Sequence, residues 1–463
     1  MMSSFQDIKD REQGLQRRLS AGQMSMIAIG GAIGTGLFLG SKFAIGFAGP
    51  SVVLSYAIGG LITLLLMGCL AEMTVAHATS GSFGAYAEHY VSPLAGFLVR
   101  YSYWACIVLA VGTEVTAVAE YMRFWFPDTP PWIWILLFSG ALIGVNAASV
   151  KAFGTVEYWF SSIKIFAIVA FIVMGCYLVW GSGNPAYGAH NFSAGGGFFP
   201  NGAWGTWVAV VISIFSYLSV EMIAVAAGEA ENPEQAVRQA FRATIARLVV
   251  FYLLSLSLII AIVPWDRIGA GNSPFVTVMQ VLNIPYAAGI LNFVVVIAAL
   301  SAMNSQLYIT TRMMFSLSRA GDAPIALGQL NQRGTPTNAL LLSTSGIALA
   351  TALYVLFPQQ AFTLMISLSM FGAMFTWLMI FYTHLCFRRH HDRAGGLELP
   401  FKMRLFPYST LTGLLLMLAI MITTVFTEVF RLTLVFGLPF LLLLVILFHK
   451  VRKPRLTPAT QAN

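Results

Sequence analysis

A lone lysine inside an apolar run is the group in this sequence best placed to do chemistry. Lys164 lies in WFSSIKIFAIVAFIV with no other charge beside it. An ammonium in so dry a setting can give up and regain a proton during a working cycle. Four carboxylates share comparable surroundings: Glu114 in VLAVGTEVTAVAEYM, Glu221 and Glu229 in IFSYLSVEMIAVAAGEAENP, and Glu72 toward the end of its run. An ionisable group at the centre of a membrane costs about 2.5–3.5 kcal/mol on insertion scales, so it faces a partner or a cavity. Each of the five is either a structural ion pair or hydrogen-bonded group, or a member of a proton path. Glu120, Arg123, Arg312 and Arg319 lie near the ends of apolar runs, where long side chains reach outward, and are expected to be solvated or lipid-facing. Asn146, Asn304, Ser301, Ser305 and Thr310 add polar groups that are expected to hydrogen-bond between helices.

A second kind of chemistry resides in the backbone. The stretch IGGAIGTGLFLG, Ile29–Gly40, places five glycines in twelve residues of an apolar run. Each glycine costs a helix roughly 1 kcal/mol relative to alanine. The spacings Gly30-x-x-x-Gly34 and Gly36-x-x-x-Gly40 suit close contact between two helices. A dinucleotide fingerprint is excluded, because no strand precedes the segment and Gly31-x-x-Gly34-x-Gly36 has the spacing reversed. The remaining reading is a helix interrupted at mid-membrane, whose freed N–H and C=O groups are tolerated only where they line a cavity. The N-terminal end of its second half would then turn partial positive charge toward a carboxylate. An inverted repeat demands a matching interruption five spans later, and FSYLSVE, Phe215–Glu221, stands there with two serines and a glutamate but no glycine.

The elements that position these groups are membrane helices. With 58% apolar and 10% charged residues and a mean hydropathy of +0.77, the chain departs from soluble composition. Twelve candidate spans centre near residues 36, 64, 108, 139, 168, 215, 254, 300, 347, 373, 418 and 440. At about 20 residues each they leave only short connections and no room for a soluble domain. The polar residues before Met24 lack the pattern of a cleaved signal peptide, so the first span is expected to be retained. Of 26 Lys and Arg, 21 fall in the tails and loops of one side, four (Lys42, Arg123, Arg267, Arg431) on the other, and Lys164 within a span. That asymmetry predicts both termini in the cytoplasm. The formal net charge of +8 then reflects topology and anionic lipid, and no basic run points to nucleic acid. Cys69, Cys106, Cys176 and Cys386 lie in or beside apolar runs without close spacing, as packing residues do. The seven histidines are scattered, with only His390 and His391 adjacent, so neither a metal site nor an enzymatic nucleophile and base is expected.

LQRRLSAGQMSMIAIGGAIGTGLFLGS, Leu15–Ser41, resembles the opening of bacterial and fungal amino-acid permeases of the amino acid, polyamine and organocation superfamily. The resemblance continues through GSFGAYAEHYVSPLAGF, GTEVTAVAEYMRFWFP, AAGEAENPEQA, NSPFV, and NSQLYITTRMMFSLSRAGDAP with its following RGTPTNA, in order over about residues 15–390. It is nearest to permeases for aromatic amino acids, 4-aminobutyrate and lysine.

The resemblance implies an all-α fold of twelve transmembrane helices: two inverted repeats of five, broken at helices 1 and 6, with helices 11 and 12 peripheral. The corresponding segments are a cytoplasmic tail (1–22), a ten-helix core (23–390, repeats about 23–182 and 203–390), a basic loop (391–407), helices 11–12 (408–450) and a C-terminal tail (451–463). It further implies that Gly34, Thr35 and Gly36, with Ile33 beside them, hold a substrate carboxylate. Backbone carbonyls of Ile214, Phe215, Ser216 and Tyr217 would hold the α-amino group, with Phe215 as an aromatic gate. Lys164 takes the place that sodium occupies in sodium-coupled cousins, facing first-span carbonyls and Ser301, and Glu114 matches a third-span glutamate of the subfamily. Glu114 and Glu221 join Lys164 and Ser301 as candidates for proton coupling, and Glu114 is a candidate for substrate binding as well. Leu218 and Ser219 depart from the glycine pair of relatives and are expected to narrow the pocket or shift the turn.

The function expected is import of an amino acid, a neutral L-α-amino acid, with a proton by alternating access at the cell inner membrane. Exchange of one amino acid for another, and a cationic amino acid or 4-aminobutyrate as substrate, remain alternatives. A channel or a nutrient receptor on the same scaffold would use similar groups without proton-driven uptake. The expected partners are the substrate, protons and the lipid bilayer, with no nucleic acid and no cofactor.

Overall fold

In hydrocarbon every backbone polar group must be satisfied within the chain, so the apolar runs fold as helices. The structure is a computed structural model that describes residues 5–15, 19–231, 233–268, 273–282, 286–357, 360–393, 399 and 401–451. All but the first residue of the expected C-terminal tail lies outside them. Among the described residues, β pairing is limited to one isolated bridge between Leu19 and Ala230.

The helices in chain order are α1 (Phe5–Arg11), α2 (Ala21–Ala32), α3 (Ser41–Ala48), α4 (Val52–Ala76), α5 (Ser82–Tyr90) and α6 (Pro93–Met122). There follow α7 (Pro131–Ala148), α8 (Val150–Cys176), α9 (Gly202–Tyr217), α10 (Met222–Ala226), α11 (Pro233–Ile262) and α12 (Pro274–Val281). The last are α13 (Ala287–Arg319), α14 (Thr337–Ser343), α15 (Ser345–Leu356), α16 (Ala361–Arg393), α17 (Tyr408–Thr423) and α18 (Arg431–Val451). All twelve expected span centres fall within helical structure. By length and apolarity, ten stretches among the described residues suffice to cross a membrane. Gly36–Ala76 runs as one stretch through most of two expected spans, and the described part of α11 contributes the shorter apolar helix Val249–Ile262. Helix α16 runs to Arg393, so the expected loop boundary at 390 falls inside a helix.

Packing repeats with an offset of five spans. The elements of span 1 meet those of span 6 (α3 with α9), span 2 meets span 7 (α4 with α11) and span 3 meets span 8 (α6 with α13). Further contacts come in matched pairs: α2 with α11 and α9 with α4, α8 with α13 and α16 with α6, α7 with α13 and α15 with α6. Such pairing follows when two five-span units of opposite topology interlock. The apolar window of Gly202–Glu229 is wholly buried, whereas that of Glu428–Lys450 is 17% buried, so α18 sits at the periphery.

Both central spans are interrupted. After α2 the chain bends at Ile33 and Gly34, passes Thr35 and forms a π-helical turn over Gly36–Gly40 before α3. After α9 it turns through Leu218–Glu221 into the short α10.

Candidate functional site

The two interruptions meet backbone to backbone. A Cβ on Gly36 would lie 2.7 Å from Ser216 Cα and 3.2 Å from the Phe215 carbonyl oxygen, so only glycine permits the approach. Across that contact the Ser216 hydroxyl donates to the Gly36 carbonyl at 2.7 Å and lies 2.8 Å from the Tyr56 hydroxyl. A Cβ on Gly34 would reach Ala302 Cβ at 2.8 Å and Glu114 Oε1 at 3.1 Å, which makes room for the carboxylate a second function of the glycines.

Two buried ionisable groups grip the first interruption with opposite polarity. Glu114 of α6 accepts the Thr35 N–H at 3.3 Å, and Lys164 of α8 donates to the Ile33 carbonyl at 2.9 Å. Both are almost completely buried. Lys164 also donates to Ser301 Oγ of α13 at 2.8 Å. A helix that stops exposes N–H groups on one side and carbonyls on the other. A carboxylate and an ammonium are the side chains matched to those two ends.

Beyond Ser301 lies a residue that the sequence reading passes over. Ser301 donates to Glu157 Oε1, and Asn304 donates to Glu157 Oε2 at 3.0 Å. Asn146 in turn donates to Asn304 Oδ1 at 2.8 Å, an interhelical bond of the kind expected. Glu157 is fully buried. Its signal was its spacing: seven residues before Lys164 is two helical turns, so both side chains share one face of α8.

The second interruption is held differently. The Phe215 carbonyl accepts Leu218 N–H at 3.2 Å, the Ser216 carbonyl accepts the Tyr252 hydroxyl at 2.8 Å, and the Tyr217 carbonyl accepts Val220 N–H at 3.4 Å. Ile214 and Phe215 are buried, and Tyr217 packs against Tyr56 and Tyr252, its hydroxyl on the Tyr56 carbonyl at 3.2 Å. Ser219 holds φ at +76°, the left-handed region, where a non-glycine residue is strained by roughly 1–2 kcal/mol. The unwound turn thus persists although the glycine pair does not. Glu221 accepts the Tyr103 hydroxyl at 2.5 Å and the Ser219 N–H at 3.2 Å, so it joins α6 to this turn and is not itself bonded to Lys164.

The other acidic candidates are structural. Glu229 receives Arg312 Nε at 2.7 Å, Arg312 Nη2 at 3.1 Å and the Tyr308 hydroxyl at 2.7 Å. This corrects the expectation for Arg312: it is 2% exposed, not solvated or lipid-facing, and its guanidinium stacks over Tyr308. The buried carboxylate of Glu229 supplies the charge that draws it inward. Glu72 accepts from Arg388 Nη2 at 2.9 Å, His384 Nε2 lies 3.2 Å away, and Met403 N–H donates at 2.7 Å. Glu120 and Arg123 are exposed and lie near one another, and Arg319 is exposed, as expected.

The N-terminal segment is more than a tail. Phe5 stacks on His77 at 4.1 Å, and Arg11 clamps Glu88 of α5 through both guanidinium nitrogens at 2.9 and 2.5 Å. Arg100 donates to Glu88 at 2.8 Å. Glu12 accepts from Thr79 Oγ1, Ser316 Oγ and the Gly81 N–H at 2.5, 2.5 and 2.8 Å, and so links α1 to α5 and α13. Burial raises the cost of charge on Glu88, but Arg100 and Arg11 overcome it and hold the carboxyl down at about 2.

Comparison with known proteins agrees with this architecture. Residues 23–457 match the family model described as amino acid permease. The amino acid permease YtnA of Bacillus subtilis (strain 168) is 38% identical over 461 residues, 98% of this chain and 100% of that one. The aromatic amino acid transport protein AroP of Escherichia coli (strain K12) is 38% identical over 428 residues, covering 92% and 93%. The amino-acid permease RocE of Bacillus subtilis (strain 168) is 37% identical over 455 residues, covering 96% and 97%.

Proposed function

The chain belongs to the amino acid permease family, and from that premise we propose that it imports a neutral L-α-amino acid together with a proton by alternating access. The observation that carries the proposal is the opposed grip on one helix interruption: an ammonium on the Ile33 carbonyl and a carboxylate on the Thr35 N–H. An amino acid is itself an ammonium and a carboxylate. Its carboxylate, brought to the N–H groups at Gly34, Thr35 and Gly36, arrives beside Glu114. Two carboxylates at one buried site repel unless a proton accompanies the second. Lys164 and Glu114 are therefore the assigned proton groups, Ser301 the hydroxyl partner of Lys164, and Glu221 a positioning group at the second interruption. The substrate amino group is assigned to the carbonyls of Ile214–Tyr217, and Phe215 to closing over it.

The asymmetry of Lys and Arg supports an inner-membrane orientation with both termini in the cytoplasm. The five-span offset of the contacts supports repeats near 23–182 and 203–390. The test is uptake of a labelled mixture of the common amino acids into proteoliposomes with the outside acid. Accumulation that collapses with a protonophore and ignores sodium is expected. Accumulation that survives the protonophore, or that needs only an internal amino acid, would replace symport by exchange.

A further inference from the structure

Glu157 has no part in binding substrate or holding either interruption, yet it is a buried carboxylate joined to Lys164 through one hydroxyl. Its setting differs from those of the arginine-paired buried acids. Glu72, Glu88 and Glu229 each hold a guanidinium, whereas the hydrogen-bond donors on Glu157 are the hydroxyls of Ser301 and Ser161 and the amide of Asn304. A carboxylate held by neutral donors can accept a proton without abandoning an ion pair. Its place along α8 is equally informative. It lies two turns, roughly 10 Å, from Lys164 toward the helix start. There a Cβ on Gly154 would touch Gln23 and Leu19, so that end of α8 lies beside the N-terminal segment. Ser161 Oγ sits 3.0 Å from the Met26 carbonyl of α2 and 3.2 Å from Glu157 Oε1, so one hydroxyl links α2 to the carboxylate.

We infer that Glu157 is the acceptor that takes the transported proton from Lys164 and releases it to the cytoplasmic side when α2 moves away. Lys164 Nζ gives a proton to Ser301 Oγ while the Ser301 hydroxyl proton passes to Glu157 Oε1. The ammonium becomes a neutral amine, the serine is regenerated, and the carboxylate becomes a carboxylic acid that later yields its proton to water. No other reactant is required. The inference rests on the proton-symport proposal and adds the exit step to it.

The experiment uses the full chain in proteoliposomes and a labelled mixture of the common amino acids, with two readouts. One is accumulation driven by an acid-outside gradient; the other is counterflow into vesicles preloaded with the same unlabelled mixture at equal pH, which needs no proton release. Glu157→Gln keeps the shape and an acceptor oxygen. It is expected to lose accumulation on the order of tenfold or more while counterflow stays within about threefold of wild type. Glu157→Asp, which retains the carboxyl, is expected to recover part of the accumulation. Wild-type accumulation in Glu157→Gln overturns the assignment. So does loss of counterflow in both variants, which would make Glu157 a structural pin between α8 and α13. A wild-type protein that ignores the gradient would instead overturn proton symport itself, and this exit step with it.

Discussion

Two buried charged clusters divide the molecule. At the end that carries α1, charges are matched ion to ion: Arg11 and Arg100 on Glu88, and Arg312 on Glu229. Around the first interruption, ions bond to neutral groups instead: Lys164 to a carbonyl and a hydroxyl, Glu114 to an N–H, Glu157 to hydroxyls and an amide. A matched pair loses its Coulomb energy and leaves a buried charge behind when either partner changes state. A charge held by neutral dipoles loses less. On the proposed proton coupling, the first cluster stays as it is and the second changes protonation.

The comparison can be broken first at Lys164. Lys164→Gln is expected to reduce gradient-driven uptake on the order of a hundredfold while the thermal unfolding midpoint in detergent moves by only a few degrees. A collapse of the midpoint with the uptake would put Lys164 among the structural ions. Glu229→Ala should do the reverse. It leaves the Arg312 guanidinium buried without its carboxylate, at a cost of about 3–5 kcal/mol, read as lost folded protein on heating. Glu229→Ala with Arg312→Met should recover most of that stability, and no recovery would mean the pair is not the unit.

Smaller effects sharpen the boundary between the clusters. Gly36→Ala sets a Cβ 2.7 Å from Ser216 Cα, an overpacking worth about 1–3 kcal/mol, and should also weaken substrate binding. Gly46→Ala meets nothing within 4 Å and should be nearly silent in both assays. A pH-dependent effect is expected at His77, outside the spans, where burial pushes the imidazole down to about 4. Its ordinary value is 6.5, so the neutral form stabilises the fold above that pH, and the contribution fades as pH falls from 6.5 to 4. His77→Gln should flatten the midpoint's decline over that window, and an unchanged decline would assign it to another group.

The glycine run and the lone lysine made much of this legible in the sequence, because both are expensive in a membrane and few places can hold them. The helix count was less legible. It depends on where a broken span stops counting as one helix, as Gly36–Ala76 shows. Arg312 was misjudged because its partner lies 83 residues away, and a span-end position says nothing about which way a long side chain turns. Glu157 escaped notice beside Lys164 although its spacing put both on one face. The docking of α1 had no sequence signal, since Arg11 and Glu12 look like any solvated charges until α5 and α13 are in place.

The most direct test is to trap a pH-sensitive dye inside proteoliposomes, at equal pH and with no other gradient, and add the amino-acid mixture outside. The lumen should acidify in step with uptake in the wild type, and should not in Lys164→Gln. Amino-acid entry without acidification in the wild type would contradict proton symport.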